Sequence, residues 1–86
     1  MLKLKRKPTH PGEILNEEFL KPLEVSQTLL AEAIGVSFRS VNELVNEKRN
    51  LSSEMAIKLS KYFGTSPELW LNLQTQYDIY HVSKYI

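Results

Sequence analysis

The 86 residues carry 11 basic and 10 acidic side chains for a net charge of +1, are 42% hydrophobic, and include no cysteine. That length supports one domain with a single small core, a size at which self-association commonly helps, and the missing cysteine excludes a disulfide scaffold or thiolate metal site. No apolar run approaches the roughly 20 residues of a membrane span and Met1–Lys7 lacks the apolar stretch of a signal peptide, so a soluble, cytoplasmic protein without a membrane partner is expected.

Charge is unevenly placed. Lys3, Lys5, Arg6 and Lys7 give residues 1–7 a charge of +4, and the rest of the chain holds 7 basic against 10 acidic residues, a balance of −3. Residues 1–7 read as a basic, flexible tail that is simply solvated; contact with phosphate or an acidic partner is the alternative.

Every periodic stretch reads as helix, with no hairpin dipeptide and no strict alternation, so an all-α, compact bundle of about five short helices is expected. The first helix begins near Pro11, capped by Thr9 or His10, buries Ile14, Leu15, Phe19 and Leu20, and is expected to end at Pro22. A second runs from Ser26 or Gln27 to Ile34 and stops at Gly35. Ser37 caps a third, roughly Phe38 to Asn46, with Val41, Leu44 and Val45 inward. Ser52 or Ser53 caps a fourth, carrying Met55, Ala56, Leu59 and Phe63 up to Gly64. A fifth opens at "TSPE", Thr65 to Glu68, and the closing "YDIYHVSKYI" has no end signal.

The stretch "AEAIGVSFRSVNELV" joins the second and third helices through a very short connection. Two helices so joined and crossing steeply need a small residue at closest approach and a turn residue that accepts a positive φ, roles that suit Ala31 and Gly35. Leu30, Ile34, Val36, Val41 and Leu44 supply an apolar seam, which leaves Phe38, Arg39, Ser40, Asn42 and Glu43 outward at the front of the third helix. This is the helix-turn-helix pattern, in which the second helix of the pair enters the major groove of double-stranded DNA. Arg39 has the reach for guanine, Asn42 for adenine and Phe38 for a thymine methyl. Gln27 is placed to bind a phosphate or to brace the recognition helix, and Lys48 and Arg49 to meet the DNA backbone. An ordinary helical hairpin with a polar face is the plainer alternative.

One such unit offers few cations against Glu43 and Glu47, so useful affinity calls for a dimer and a palindromic site with half-sites about one helical turn apart. The C-terminal quarter is rich enough in apolar and aromatic residues to supply the interface, and Trp70, Leu71, Leu73 and Tyr77 are its expected dimerisation residues. No enzyme, cofactor or metal is expected, since His10 and His81 are the only histidines and no glycine-rich loop cradles phosphate.

"HPGEILNEEFL", "SQTLLAEAIGVS" and "MAIKLSKYFGTSPELWLNLQTQYD" together resemble the HigA-type antitoxins, also called virulence-associated protein I, among the phage-repressor-like (lambda-repressor-like) helix-turn-helix proteins. The resemblance covers about residues 8–80, which read as the helix-turn-helix domain with a C-terminal dimerisation helix, leaving 81–86 as a C-terminal tail. It implies an antitoxin of a type II toxin–antitoxin module that neutralises a RelE-like ribonuclease toxin and, as a homodimer, binds operator DNA to repress its own operon. It carries DNA contact onto Gln27, Ser37, Phe38, Arg39, Ser40 and Asn42, with Lys48 and Arg49 at the backbone, and assigns toxin contact to no motif. The chain departs from this family at Glu24 and Glu47, where relatives usually have glycine. A left-handed backbone there would cost on the order of 1 kcal/mol each; the alternative is that the local turns differ, which would shift Lys48 and Arg49 relative to the phosphates. A stand-alone phage-like repressor is the second reading. A protein-binding module that has lost DNA binding, motivated by the negative charge of Glu47, is the third.

Overall fold

The computed structural model describes residues 8–84, so the basic tail expected over 1–7 lies outside the described residues. Within them the chain forms helices and no strand, as expected. No helix among the described residues is long and apolar enough to cross a membrane.

The first helix, α1, comprises Pro11–Ile14, a π-helical stretch Leu15–Leu20, and Lys21–Leu23. His10 caps it, its Nδ1 accepting the Gly12 N–H at 2.9 Å. Pro22 does not end α1, contrary to the sequence expectation. In a regular α-helix the proline ring collides with the carbonyl four residues back. Here the Lys21 N–H bonds instead to the Asn16 carbonyl five residues back, and this widened turn lets Pro22 sit in the final one. Glu24 terminates α1 in the left-handed region at φ 55°. The Val25 N–H then bonds the Leu20 carbonyl at 2.9 Å, closing the helix end.

Helices α2 (Gln27–Ile34), α3 (Phe38–Val45), α4 (Ser53–Phe63) and α5 (Pro67–Ser83) follow. The hydroxyls of Ser26, Ser37, Ser52 and Ser66 accept main-chain N–H groups at 3.0–3.2 Å, satisfying donors that a helix start would otherwise orphan. Gly35 and Gly64, both at φ 73°, close α2 and α4. Helix α5 passes position 80, so His81–Ser83 of the expected tail are helical. No glycine or proline interrupts them, and the His81 ring packs on Tyr77 at 4.2 Å.

Leu15, Leu30, Val41, Leu44, Leu59 and Trp70 are completely buried and join all five helices in one core. Trp70 is therefore no dimerisation residue. Its ring lies 5.1 Å from Phe19 and 6.5 Å from Phe63, and its indole N–H donates to the Thr65 hydroxyl at 2.8 Å. An indole so enclosed contributes cohesion inside the protomer, on the order of 2–3 kcal/mol by burial, and presents nothing to a partner. Gly12 marks where α1 crosses the end of α3, for a Cβ there would fall on the Leu44 carbonyl oxygen.

Candidate nucleic-acid interface

Helices α2 and α3 pack on each other through Leu30 and Ala31 on one side and Val41 and Leu44 on the other, all buried. Gly35 in its left-handed conformation makes the reversal, and the Val36 N–H bonds back to the Ala31 carbonyl at 3.0 Å. The small Ala31 and the positive φ at Gly35 are thus the features the short turn requires. They leave the front of α3 facing solvent, with Phe38 51% exposed and the Arg39 side chain 82% exposed.

Six of the eight sequence-predicted residues fall into two hydrogen-bonded groups. Gln27, at the first turn of α2, accepts a hydrogen bond from the Asn42 carboxamide at 3.0 Å, which ties α2 to α3. The second group centres on Glu43. Its Oε2 accepts from Arg39 Nε at 2.8 Å, and its Oε1 accepts from Arg49 Nη2 at 2.8 Å and Nε at 3.2 Å. Arg49 Nη1 also donates to the Ser40 hydroxyl at 3.3 Å, which lies 3.0 Å from that of Ser37. First Arg39 and then Arg49 hold the Glu43 carboxyl below the usual carboxylate range. Phe38 stands alone and Lys48 is exposed beyond the end of α3.

Lys48 and Arg49 are carried by a loop that Glu47 opens at φ 61°, the second left-handed glutamate. The Lys48 N–H reaches the Glu43 carbonyl at 2.7 Å and fixes the exit from α3. The far end is tied to α5 by buried Gln74, whose Oε1 accepts the Leu51 N–H at 2.7 Å and whose Nε2 donates to Asp78 at 2.8 Å and Asn50 at 3.3 Å. Sequence reasoning passed over Glu43 as a hub and Gln74 as a loop anchor. The spacing of Arg39 and Glu43 by four residues is a visible signal for the first. For the second, the signal is a polar residue in helical phase with Trp70 on an otherwise apolar face.

On α5, Leu71 and Leu73 are half-buried against the chain's own core and Tyr77 packs edge-on against His10 at 4.7 Å. Ile79 and Val82, each 56% exposed, are the apolar side chains that α5 leaves most uncovered.

A braced helix pair with a short turn, presenting arginine, asparagine and serine from the front of its second helix, defines a helix-turn-helix protein. The helix-turn-helix family model matches residues 17–70. The chain is 49% identical over 70 residues to virulence-associated protein I of Dichelobacter nodosus, with 81% of this chain and 65% of that one covered. It is 48% identical over 75 residues to an HTH-type transcriptional regulator of Haemophilus influenzae, covering 87% and 70% respectively. Among solved structures, the Pseudomonas aeruginosa antitoxin HigA with the higBA promoter superposes at a TM-score of 0.88 with 45% identity, covering 91% of this chain and 85% of that one. The chain belongs to the helix-turn-helix family and, within it, to the HigA-type antitoxins, with virulence-associated protein I among its relatives.

Proposed function

We propose that the chain is a DNA-binding antitoxin that acts in the cytoplasm as a homodimer, reads a palindromic operator in its own promoter through α3, and represses its own operon. Its second activity is to neutralise a toxin of the RelE-like ribonuclease class. The observation that carries the reading is the solvent-facing front of α3, where Phe38, Arg39, Ser40 and Asn42 stand on a helix fixed by Gln27 and the α2 seam. The likeness to HigA solved with the higBA promoter supports it. Arg39 reads guanine in the major groove, Asn42 and Phe38 contact neighbouring bases, and Gln27, Ser37, Lys48 and Arg49 set the register.

Two copies are needed because one protomer meets few phosphates. Their seam is assigned to the outer face of α5, where Leu71, Ile79 and Val82 recur at helical spacing, with Leu73 and Tyr77 supporting it from within. A stand-alone repressor is the second reading, favoured by the relative named as a transcriptional regulator. A small basic ribonuclease-like protein encoded beside this one would decide for the antitoxin.

The test is titration of the purified protein against a duplex of its own upstream region and against random duplex, at two salt concentrations. Specific binding with a steep salt slope is expected, and Arg39→Ala should cost about 1–3 kcal/mol per half-site. Equal, weak binding to both duplexes would overturn the reading.

A further inference from the structure

We propose that Glu43 is a positioning residue that makes Arg39 a base reader instead of a phosphate contact, and so sets the selectivity of α3 for its operator. The inference rests on the DNA-binding reading above. A carboxylate near the face that meets a polyanion opposes binding, and Glu43 lies on α3 within hydrogen-bond reach of both Arg39 and Arg49. Two guanidinium groups converge on it, one from α3 and one from the following loop, so the cluster keeps a net charge of +1.

The geometry of the Arg39 contact is specific. Only Nε donates to Glu43, and among the described residues Nη1 and Nη2 make no hydrogen bond. Those two nitrogens form the fork that matches guanine O6 and N7. Arg39 is 82% exposed at its side chain, and a long side chain in that setting surrenders rotamer freedom on docking. Fixing it beforehand removes that cost from a complex in which the fork meets a base edge.

Random DNA gains nothing from the arrangement, because a phosphate can be reached by a mobile arginine as well as by a fixed one. There Glu43 competes with the phosphate for the same guanidinium. Arg49 is restrained likewise: three of its nitrogens are occupied by Glu43 and Ser40. The carboxylate therefore weakens sequence-independent contact more than it weakens base reading.

The experiment is a titration of wild type, Glu43→Gln, Arg39→Ala and the double variant against the protein's own promoter duplex and a random duplex, each at two salt concentrations. Glu43→Gln should lower the ratio of operator to random affinity by about ten-fold and steepen the salt slope on random duplex by roughly one phosphate per protomer. In the Arg39→Ala background the same change should move the ratio much less, because only the restraint on Arg49 is then left to lose. Thermal melts should barely move, since these ion pairs lie at the surface. An equal gain on both duplexes, or an equal effect of Glu43→Gln with and without Arg39, would overturn the proposal. Wild type that fails to distinguish the duplexes would overturn the DNA-binding reading itself, before any variant is compared.

Discussion

Replacing Gln74 with leucine probes how firmly the loop carrying Lys48 and Arg49 is tied to α5. The side chain is buried, and its carbonyl oxygen accepts the Leu51 N–H at 2.7 Å beside a leucine only 4% exposed. Leucine removes that acceptor and leaves a buried donor unpaired, at a cost of about 1–3 kcal/mol. Asn50 and Asp78 are exposed residues and recover water, so their lost contacts cost under about 1 kcal/mol, while the new apolar side chain returns a similar amount. The net loss is about 2 kcal/mol, or a fall in Tm of about 10 °C for a domain of this size. Thermal unfolding followed by circular dichroism, at matched protein concentration because the chain is proposed to dimerise, measures it. Gln74→Glu is the companion: it keeps an acceptor for Leu51 but sets a second carboxylate against Asp78, 2.8 Å from the present amide. That carboxyl would titrate above its unfolded value, so its deficit relative to wild type should be smallest at acidic pH and grow as pH rises. A loss below about 0.5 kcal/mol for Gln74→Leu would mean that Leu51 finds another partner and that the anchor is not Gln74.

Three further substitutions have expected outcomes. Gly12→Ala drives a Cβ into the Leu44 carbonyl and must displace α1 from α3, at about 3 kcal/mol or more, readable as a lower denaturation midpoint. Glu47→Gly relieves a left-handed residue at φ 61°; strain relief of about 1–2 kcal/mol less about 0.4–1 kcal/mol of added unfolded-chain entropy should raise stability by about 0.5–1 kcal/mol. The same change removes a negative charge beside Lys48, so operator binding should tighten at low salt and lose that gain at high salt. Burial holds the His10 imidazole below its ordinary 6.5, against the opposing pull of Glu47, the Arg49 main chain and Asp78. The unfolded chain then takes up the proton first, so stability is full above about pH 6.5 and falls as pH drops toward the folded value. His10→Asn keeps a cap acceptor for Gly12 and should flatten that acid limb in melts between pH 7.5 and 5.

Helix limits were legible residue by residue because capping is local. A serine hydroxyl can meet an N–H three positions on and a glycine can take a left-handed φ with little help from the rest of the chain, as at Ser37 and Gly35. The polar front of α3 was legible for the same reason, since helical phase alone separates Arg39 and Asn42 from Val41 and Leu44. Pro22 was misjudged because a single π turn, stabilised by the packing of Leu15 and Leu20 in the core, removes the clash that normally ends a helix. Trp70 was misplaced because a protomer core and a subunit interface have the same composition, and only the positions of Phe19 and Phe63 distinguish them. Local pattern thus carried the helices, the turn and the outward face. The left-handed turn at Glu47 brings Arg49 back to Glu43, six residues earlier, while long-range packing carried what brings Gln74 to Leu51 and Gly12 to Leu44, contacts between residues distant in the chain whose meeting depends on how the core closes.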